Sequence, residues 1–487
     1  MGIVLKQSLS NTLVTYLGFA FGAINTLFLY TQILTPSYYG LVTFILATAA
    51  ILMPLMAFGV HNTMVKFYSS QAEAEKNGFL TLMLFSPLLA ILPLGVLTWI
   101  FYEDVAAVLS QKNELVKDYV WYVFAVALAT AYFEVFFAWS RIHLKSVFGN
   151  FMKEVFARIG VMLLLGLYYF GFISLDAFFK CLVGLYLLRT IIMKLYAYKL
   201  RWPKLDLNFP KDTKNIVVYS LLIILGGSAA LILLEIDKVM INQFKAIENV
   251  AYYGVAIYIA TVIIVPSRAM HQITYPLTAE LLNKGDFFEL DTLYKKTSLT
   301  LFIASGLLFI LIILNVEDLY RLLPEAYGQG FYIVFLIGLA KVFDSFLGNI
   351  NSILYNSQHY KTVLLFGVCL ALVTILLNLW LIPKLGIEGA ALASFIAIFL
   401  FNTIKVVFVK VKFGLLPFSK GTAKVFATLL LLGFLFTYLN LGFHPILNIL
   451  IKSFFIVLVY LSVLYYFQIS EDVTGLLNKI LKPKGEE

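Results

Sequence analysis

Apolar runs of about twenty residues recur from one end of this chain to the other, separated by short polar links. A run of that length crosses a hydrocarbon core of roughly 30 Å as a helix, and these runs lack the period-two alternation of outer-membrane strands. About fourteen can be placed by run length, at 9–33, 38–60, 79–102, 118–139, 153–172, 174–198, 216–243, 249–271, 297–316, 331–352, 361–383, 386–409, 422–441 and 444–467. The expected fold class is an all-α integral membrane protein. Composition excludes the soluble alternative, because 13% charged residues is half of the roughly 25% that a soluble domain uses. The net charge of +9 does not point to nucleic acid: Lys and Arg stand in the short links and form no patch interleaved with aromatic residues.

Those links instead carry a topology signal. With an inside N-terminus, the even-numbered links collect Lys66, Lys76, Arg141, Lys145, Lys199, Arg201, Lys204, Lys284, Lys295, Lys410 and Lys412, while Glu103, Asp104, Glu114, Glu317, Asp318 and Glu325 fall in odd-numbered ones. The positive-inside rule then places both termini in the cytoplasm. No outer link exceeds about fifteen residues, so no sizeable external domain is expected, and with it no enzyme of the kind that carries catalytic groups in an external loop. Links 199–215 and 279–297 are long enough for an interfacial amphipathic helix of their own. The tail after Ser470 is expected to fray, and the N-terminus lacks a compact cleavable signal segment, so the first span is retained. Cys181 and Cys369 lie within apolar runs without metal-type spacing, so neither disulfide chemistry nor a metal site is indicated, and no cofactor is expected.

The two halves repeat. Tyr38-Tyr39-Gly40 opens the second span and Tyr252-Tyr253-Gly254 the eighth, while Gly171 and Gly386 occupy the turns after the fifth and eleventh spans. The segment LATAYFE, ending at Glu134, faces LAKVFD, ending at Asp344, with a slip of one residue. Six spans therefore repeat in parallel, giving an N-lobe at 1–205, a C-lobe at 206–413 and two appended spans within 414–487. Parallel repeats of this kind place a shared cavity at their interface in transporters.

With two extra spans, the YYG openings, LLEIDKVMINQF before AYYGVAIYIATVIIVPSRAMHQITYPL, and LWLIPKLGIEGAALASFIAIFLF, the chain resembles the polysaccharide flippases of the multidrug/oligosaccharidyl-lipid/polysaccharide (MOP) exporter superfamily, of the O-antigen (Wzx) type. The resemblance covers essentially the whole chain. It implies a V-shaped, MATE-like bundle in the bacterial inner membrane. Its implied activity is alternating-access transfer of undecaprenyl-pyrophosphate-linked oligosaccharide to the periplasmic leaflet, for lipopolysaccharide assembly. It also implies a cationic cavity, a coupling gradient of H+ or Na+, and contact with membrane lipids and other polysaccharide-assembly proteins. Within the same fold, a multidrug/cation antiporter and a flippase of the cell-wall lipid precursor are the alternatives. A membrane polysaccharide polymerase is the reading from outside it.

Charges inside spans are costly and mark pathways or coupling sites. Glu235, Asp237 and Lys238 fall in the seventh span; Glu235 and Lys238 stand at i and i+3 and can neutralise each other, which singles out Asp237. The candidate ion-coupling acids are Asp237, Glu235, Asp344 and Glu134. Candidate substrate-binding cations are Arg189, Lys341, Lys180, Lys238 and Arg268, with Arg189 offering the planar fork that suits phosphate oxygens. Lys341 and Asp344 also have the spacing of an internal pair. Snorkelling to the nearer interface accounts for Arg158, Lys194, Lys405 and Lys452. Pro54 and Pro266 fall at nearly equivalent repeat positions and are candidate hinges. Gly226-Gly227 permit close helix approach, and Tyr30, Tyr252 and Tyr253 are candidates for glycan contact near the outer openings.

Overall fold

The computed structural model describes residues 2–439 and 442–481; these are helical nearly throughout and contain no strand. Helix covers every expected run. Among the described residues, ten helices are long and apolar enough to cross a membrane, and two bent pairs bring the number to twelve. The fifth and sixth runs are helical as well, stand outside that number and are rich in charge. The fifth carries Lys153, Glu154 and Arg158, and the Leu175–Leu200 helix carries Asp176, Lys180, Arg189, Lys194 and Lys199.

The bends have local causes. Thr213–Gly226 and Leu231–Phe244 meet at 49°, beside the Gly226-Gly227 pair. Phe331–Phe346 and Ile350–Asn356 meet at 58° across Gly348, whose φ of 56° is in the left-handed region open to glycine. The two candidate hinge prolines sit next to breaks rather than at them. Pro54 lies inside Pro36–Met56, and the chain turns after it through Phe58 and Gly59, both at positive φ. Pro266 occupies the first turn of Val265–Lys284, where its missing N–H costs nothing; the irregular turn, Val262–Ile264, precedes it.

Both long links differ from expectation. After Leu200 the chain runs without helix to Asp212, because Pro203 and Pro210 remove helical donors and hold their preceding residues extended. This strap is pinned to the chain around residue 77: Arg201 donates to Tyr68 Oη at 2.8 Å and to Asn77 Oδ1 at 3.0 Å, and the Asp206 amide donates to Thr81 Oγ1 at 3.1 Å. At 279–297 there is no separate helix either. Val265–Lys284 and Phe287–Tyr320 are divided only by Gly285, at φ 69°, and Asp286, whose side chain caps the second helix by accepting from the Glu289 amide. The helical spacing of apolar residues there belongs to the ends of two long helices. The tail is also ordered: Glu471–Leu481 is a helix, and Tyr465 Oη donates to Asn478 Oδ1 at 3.0 Å, while 482–487 lie outside the described residues.

The chain packs as two compact units, Met1–Gly254 with Gly367–Ile387, and Val255–Phe366 with Glu388–Glu487. They do not coincide with the expected boundary at 205, because the Thr213–Phe244 helix packs along Pro36–Met56 and Val60–Phe67. Thr63 and Ser220 share a buried hydroxyl hydrogen bond of 2.8 Å, and Lys66 stands over the Tyr219 ring at 3.8 Å.

In the second unit, Phe287–Tyr320 is the central helix, with Phe331–Phe346, Lys420–Thr437 and Pro445–Tyr466 packed around it. Lys452 does not snorkel. It is buried, donates to Leu314 O at 3.0 Å and lies 3.8 Å from Asp318, which also accepts from Asn448. This polar clasp ties an appended span to the central helix. Asp318→Ala is therefore expected to cost about 3–5 kcal/mol, since it strands a buried ammonium. Arg321→Ala, which removes the exposed partner of the same carboxylate, is expected to cost at most about 1 kcal/mol. Thermal unfolding of the purified variants in detergent measures the contrast.

Candidate functional site

Besides the Lys452–Asp318 clasp, three clusters of charged and polar side chains inside the spans hold candidate residues, two in the first unit and one in the second. The first is built on Asp237. The YYG repeat places Tyr39 and Tyr253 at matching positions, and each sends its hydroxyl into the preceding span of its own half. Tyr39 donates to the Thr26 carbonyl at 3.2 Å, and Tyr253 donates to Asp237 Oδ2 at 2.5 Å. Asp237 is buried and also accepts from Asn378 Nδ2 at 2.7 Å, while Asn378 Oδ1 is a buried acceptor without a hydrogen-bond partner. One turn of the same helix carries the Glu235–Lys238 ion pair at 2.6 Å, as the spacing predicts. Asn378 is the residue that sequence reasoning missed; a search for amides as well as ionisable groups in apolar runs finds it, in LLNLW.

The second cluster surrounds Glu134, which is buried and pairs with Lys153 from the next span at 2.6 Å, not with Arg141. Arg141 instead donates to the His61 carbonyl at 3.2 Å. Arg189 is buried between the Val120–Ile142 and Leu175–Leu200 helices. Its guanidinium stands 4.3 Å from the Phe133 ring and 4.7 Å from that of Tyr186, and it donates to Thr130 Oγ1 at 3.4 Å. With 5% of its surface accessible, the Arg189 fork is stacked on aromatic faces rather than presented to a ligand in this conformation. Lys180 is exposed and pairs with Asp176 at 2.6 Å, one turn earlier on the same helix. The Arg158 guanidinium pairs with Glu154 at 3.0 Å rather than reaching for an interface.

The third cluster centres on Asp344. Lys405 does not snorkel either: it is 2% exposed, with its Nζ 3.8 Å from Asp344 Oδ1 and 3.2 Å from Asn351 Oδ1, which accepts its hydrogen bond. Asn402 donates to Asp344 Oδ1 at 3.2 Å. Lys341 is half-buried, one turn before Asp344, and Arg268 is exposed near the start of Val265–Lys284. Tyr30 and Tyr253 are buried, Tyr30 stacked on Tyr39 at 4.7 Å, so the expectation of glycan contact at these two is corrected; Tyr252 is half-buried. Two apolar pockets, of about 420 Å³ beside Leu52 and Phe124 and about 560 Å³ beside Phe346 and Phe399, are lined by none of the candidate residues. Buried charges of this kind inside membrane spans mark candidate substrate or ion pathways. No cluster of three or more His, Cys, Asp or Glu side chains suited to a metal occurs among the described residues.

Sequence comparison decides the family. A family model described as polysaccharide biosynthesis protein matches residues 4–282, more than half of the chain. The chain belongs to this family. A search of curated protein sequences finds no match. Among solved structures, the fold of this family member is similar to that of the lipid II flippase MurJ in an inward closed conformation. That likeness covers 96% of this chain and all of the other, with a TM-score of 0.69 at 15% identity. It is also similar to an inward-facing multidrug resistance MATE family transporter of the MOP superfamily, over 85% of this chain and 98% of that one, with a TM-score of 0.63 and 14% identity. A MOP superfamily transporter from Pyrococcus furiosus follows at 0.58 and 13%, covering 85% and 95%. The polysaccharide biosynthesis chain thus has the MurJ- and MATE-like fold that the resemblance implies.

Proposed function

We propose that the protein is a flippase that moves undecaprenyl-pyrophosphate-linked oligosaccharide, of the O-antigen type, from the cytoplasmic to the periplasmic leaflet of a bacterial inner membrane by alternating access. The observation that carries this reading is the polysaccharide-biosynthesis match over 4–282 on a chain whose fold follows a lipid flippase over 96% of its length. Charge supports the direction. An anionic headgroup leaving an inside-negative cell gains about 2.3 kcal/mol per elementary charge per 100 mV. Lys341, Lys238 and Arg268 are the cations assigned to the pyrophosphate, with Arg189 and Lys180 in reserve for another conformation. The resetting ion, H+ or Na+, is assigned to Asp237. Beside Asp237, the open Asn378 Oδ1 offers a further oxygen to a cation.

Deleting the gene and identifying the lipid-linked sugars that build up tests the reading. Oligosaccharide on a polyprenyl pyrophosphate should accumulate on the cytoplasmic leaflet, and the wild-type gene should clear it. Accumulation of the cell-wall lipid precursor, or sensitivity to toxic cations with normal glycan, would transfer the assignment to one of the two other transporter readings.

A further inference from the structure

Asp344 and Asn351 converge on one point inside the second unit, and that point is occupied by the Lys405 ammonium. Asp344 comes from Phe331–Phe346, Asn351 from Ile350–Asn356 beyond the 58° bend, and Asn402 and Lys405 from Ile387–Phe413. The Lys405 ammonium lies 3.2 Å from Asn351 Oδ1, 3.8 Å from Asp344 Oδ1 and 4.7 Å from the centre of the Phe401 ring. Asn402 turns its amide N–H toward Asp344, leaving its Oδ1 buried and without a hydrogen-bond partner. A carboxylate with an amide oxygen beside it is oxygen ligation of the kind that hard cations take, since they prefer carboxylate and carbonyl oxygens. Here the positive charge is supplied on a tether.

We propose that Lys405 is a built-in cation filling a monovalent-cation site formed by Asp344 and Asn351, so that no mobile Na+ takes that place during the transport cycle. The inference deepens the transport reading and rests on it for its role, but not for its test. The geometry explains why a charge is tolerated there at all. Lys405 is 2% exposed, whereas the side chain of Asp344 keeps 30% of its surface open, so the ammonium backs the carboxylate from the inside and leaves its other face accessible. A mobile ion at the same point would have to displace an ammonium that cannot leave its helix. The same contact joins the segments on either side of the bend, so the tether also fixes their relative angle.

The test is Na+-dependent thermal stabilisation of the purified full-length protein, with N-methylglucamine chloride as the ionic-strength control and no substrate present. Asp344→Asn should leave the Na+ response of the wild type unchanged, whether that response is large or nil. Lys405→Met, which keeps the apolar stem and removes the charge, should gain a Na+-specific rise of about 2 °C from ligand linkage. Adding Asp344→Asn to that variant should abolish the gain, and Lys405→Arg should not show it. Loss of the wild-type Na+ response in Asp344→Asn overturns the proposal, as does a folded Lys405→Met without the gain. If Lys405→Met cannot be recovered folded, the Asp344→Asn comparison decides alone. Because none of these readings needs transport, their failure is distinct from failure of the flippase assignment.

Discussion

Gly40→Ala is expected to be strongly damaging, while the same change at its repeat partner, Gly254, is expected to be nearly silent. A Cβ on Gly40 would stand 2.1 Å from the Ile247 carbonyl oxygen and 2.8 Å from its carbon, and both are backbone atoms that no rotamer change can move aside. The contact is where the start of Pro36–Met56 meets the turn between Thr213–Phe244 and Glu248–Thr261. That turn is already fixed by Asn113, whose side chain donates to the Asn242 and Lys245 carbonyls and accepts from the Ile247 amide at 2.8 Å. Relief of the clash must therefore separate two backbones and break part of that network. Overpacking of this kind costs about 3 kcal/mol. At Gly254 the nearest atom to a new Cβ is Thr43 Cγ2 at 3.4 Å, an ordinary contact, and alanine is the better helix former. Its effect should stay within about 0.5 kcal/mol of wild type in either direction. Melting temperature and monodisperse yield from matched preparations measure both, and equal losses at the two glycines would contradict the close approach.

The contrast shows what a repeat carries and what it does not. Tyr38-Tyr39-Gly40 and Tyr252-Tyr253-Gly254 are legible as one motif used twice, and the structure keeps part of that meaning, since Tyr39 and Tyr253 both send a hydroxyl into the preceding span. It also divides the pair. Gly40 is required by a backbone from the other half of the sequence, and Tyr253 meets a carboxylate where the first half has Ala23 as the counterpart of Asp237. The spans themselves were readable because run length against a hydrocarbon thickness is a local property. Burial of a charge is not local. Lys405 and Lys452 read as snorkelling residues near span ends, but each is enclosed by partners more than fifty residues away, Asn351 and Asp344 for one, Leu314 and Asp318 for the other. Lys180, in the outer half of the sixth span, where snorkelling and a substrate role fit equally well, is exposed beside Asp176. Apolar spacing at 279–297 was likewise true but ambiguous, because a two-residue break at Gly285-Asp286 turns one apparent interfacial helix into the ends of two spans.

Asp237→Asn is expected to lower flipping by at least about tenfold while leaving the amount of folded protein close to wild type. Asparagine has nearly the shape of aspartate and can still accept from Tyr253 Oη through its amide oxygen, so the packing among Thr213–Phe244, Glu248–Thr261 and Tyr360–Leu385 survives. What it cannot do is carry a negative charge, and without that charge neither a proton nor Na+ has a counter-ion to exchange against; a lost charged hydrogen bond alone is worth about 1.5–3 kcal/mol, or more than tenfold in an equilibrium. Asp237→Ala should fail differently. It removes the buried carboxylate that accepts from Tyr253 and Asn378, at a cost of about 1–3 kcal/mol for a donor left unsatisfied, so it should lose stability along with activity. Tyr253→Phe should sit between wild type and Asp237→Asn, because it keeps the carboxylate and removes one donor to it. Flipping is followed as accumulation of cytoplasmic-leaflet lipid-linked oligosaccharide in cells carrying each variant, and stability as the melting temperature of the purified proteins. A wild-type rate in Asp237→Asn would remove the ion from this site and leave the membrane potential acting on the headgroup as the sole drive.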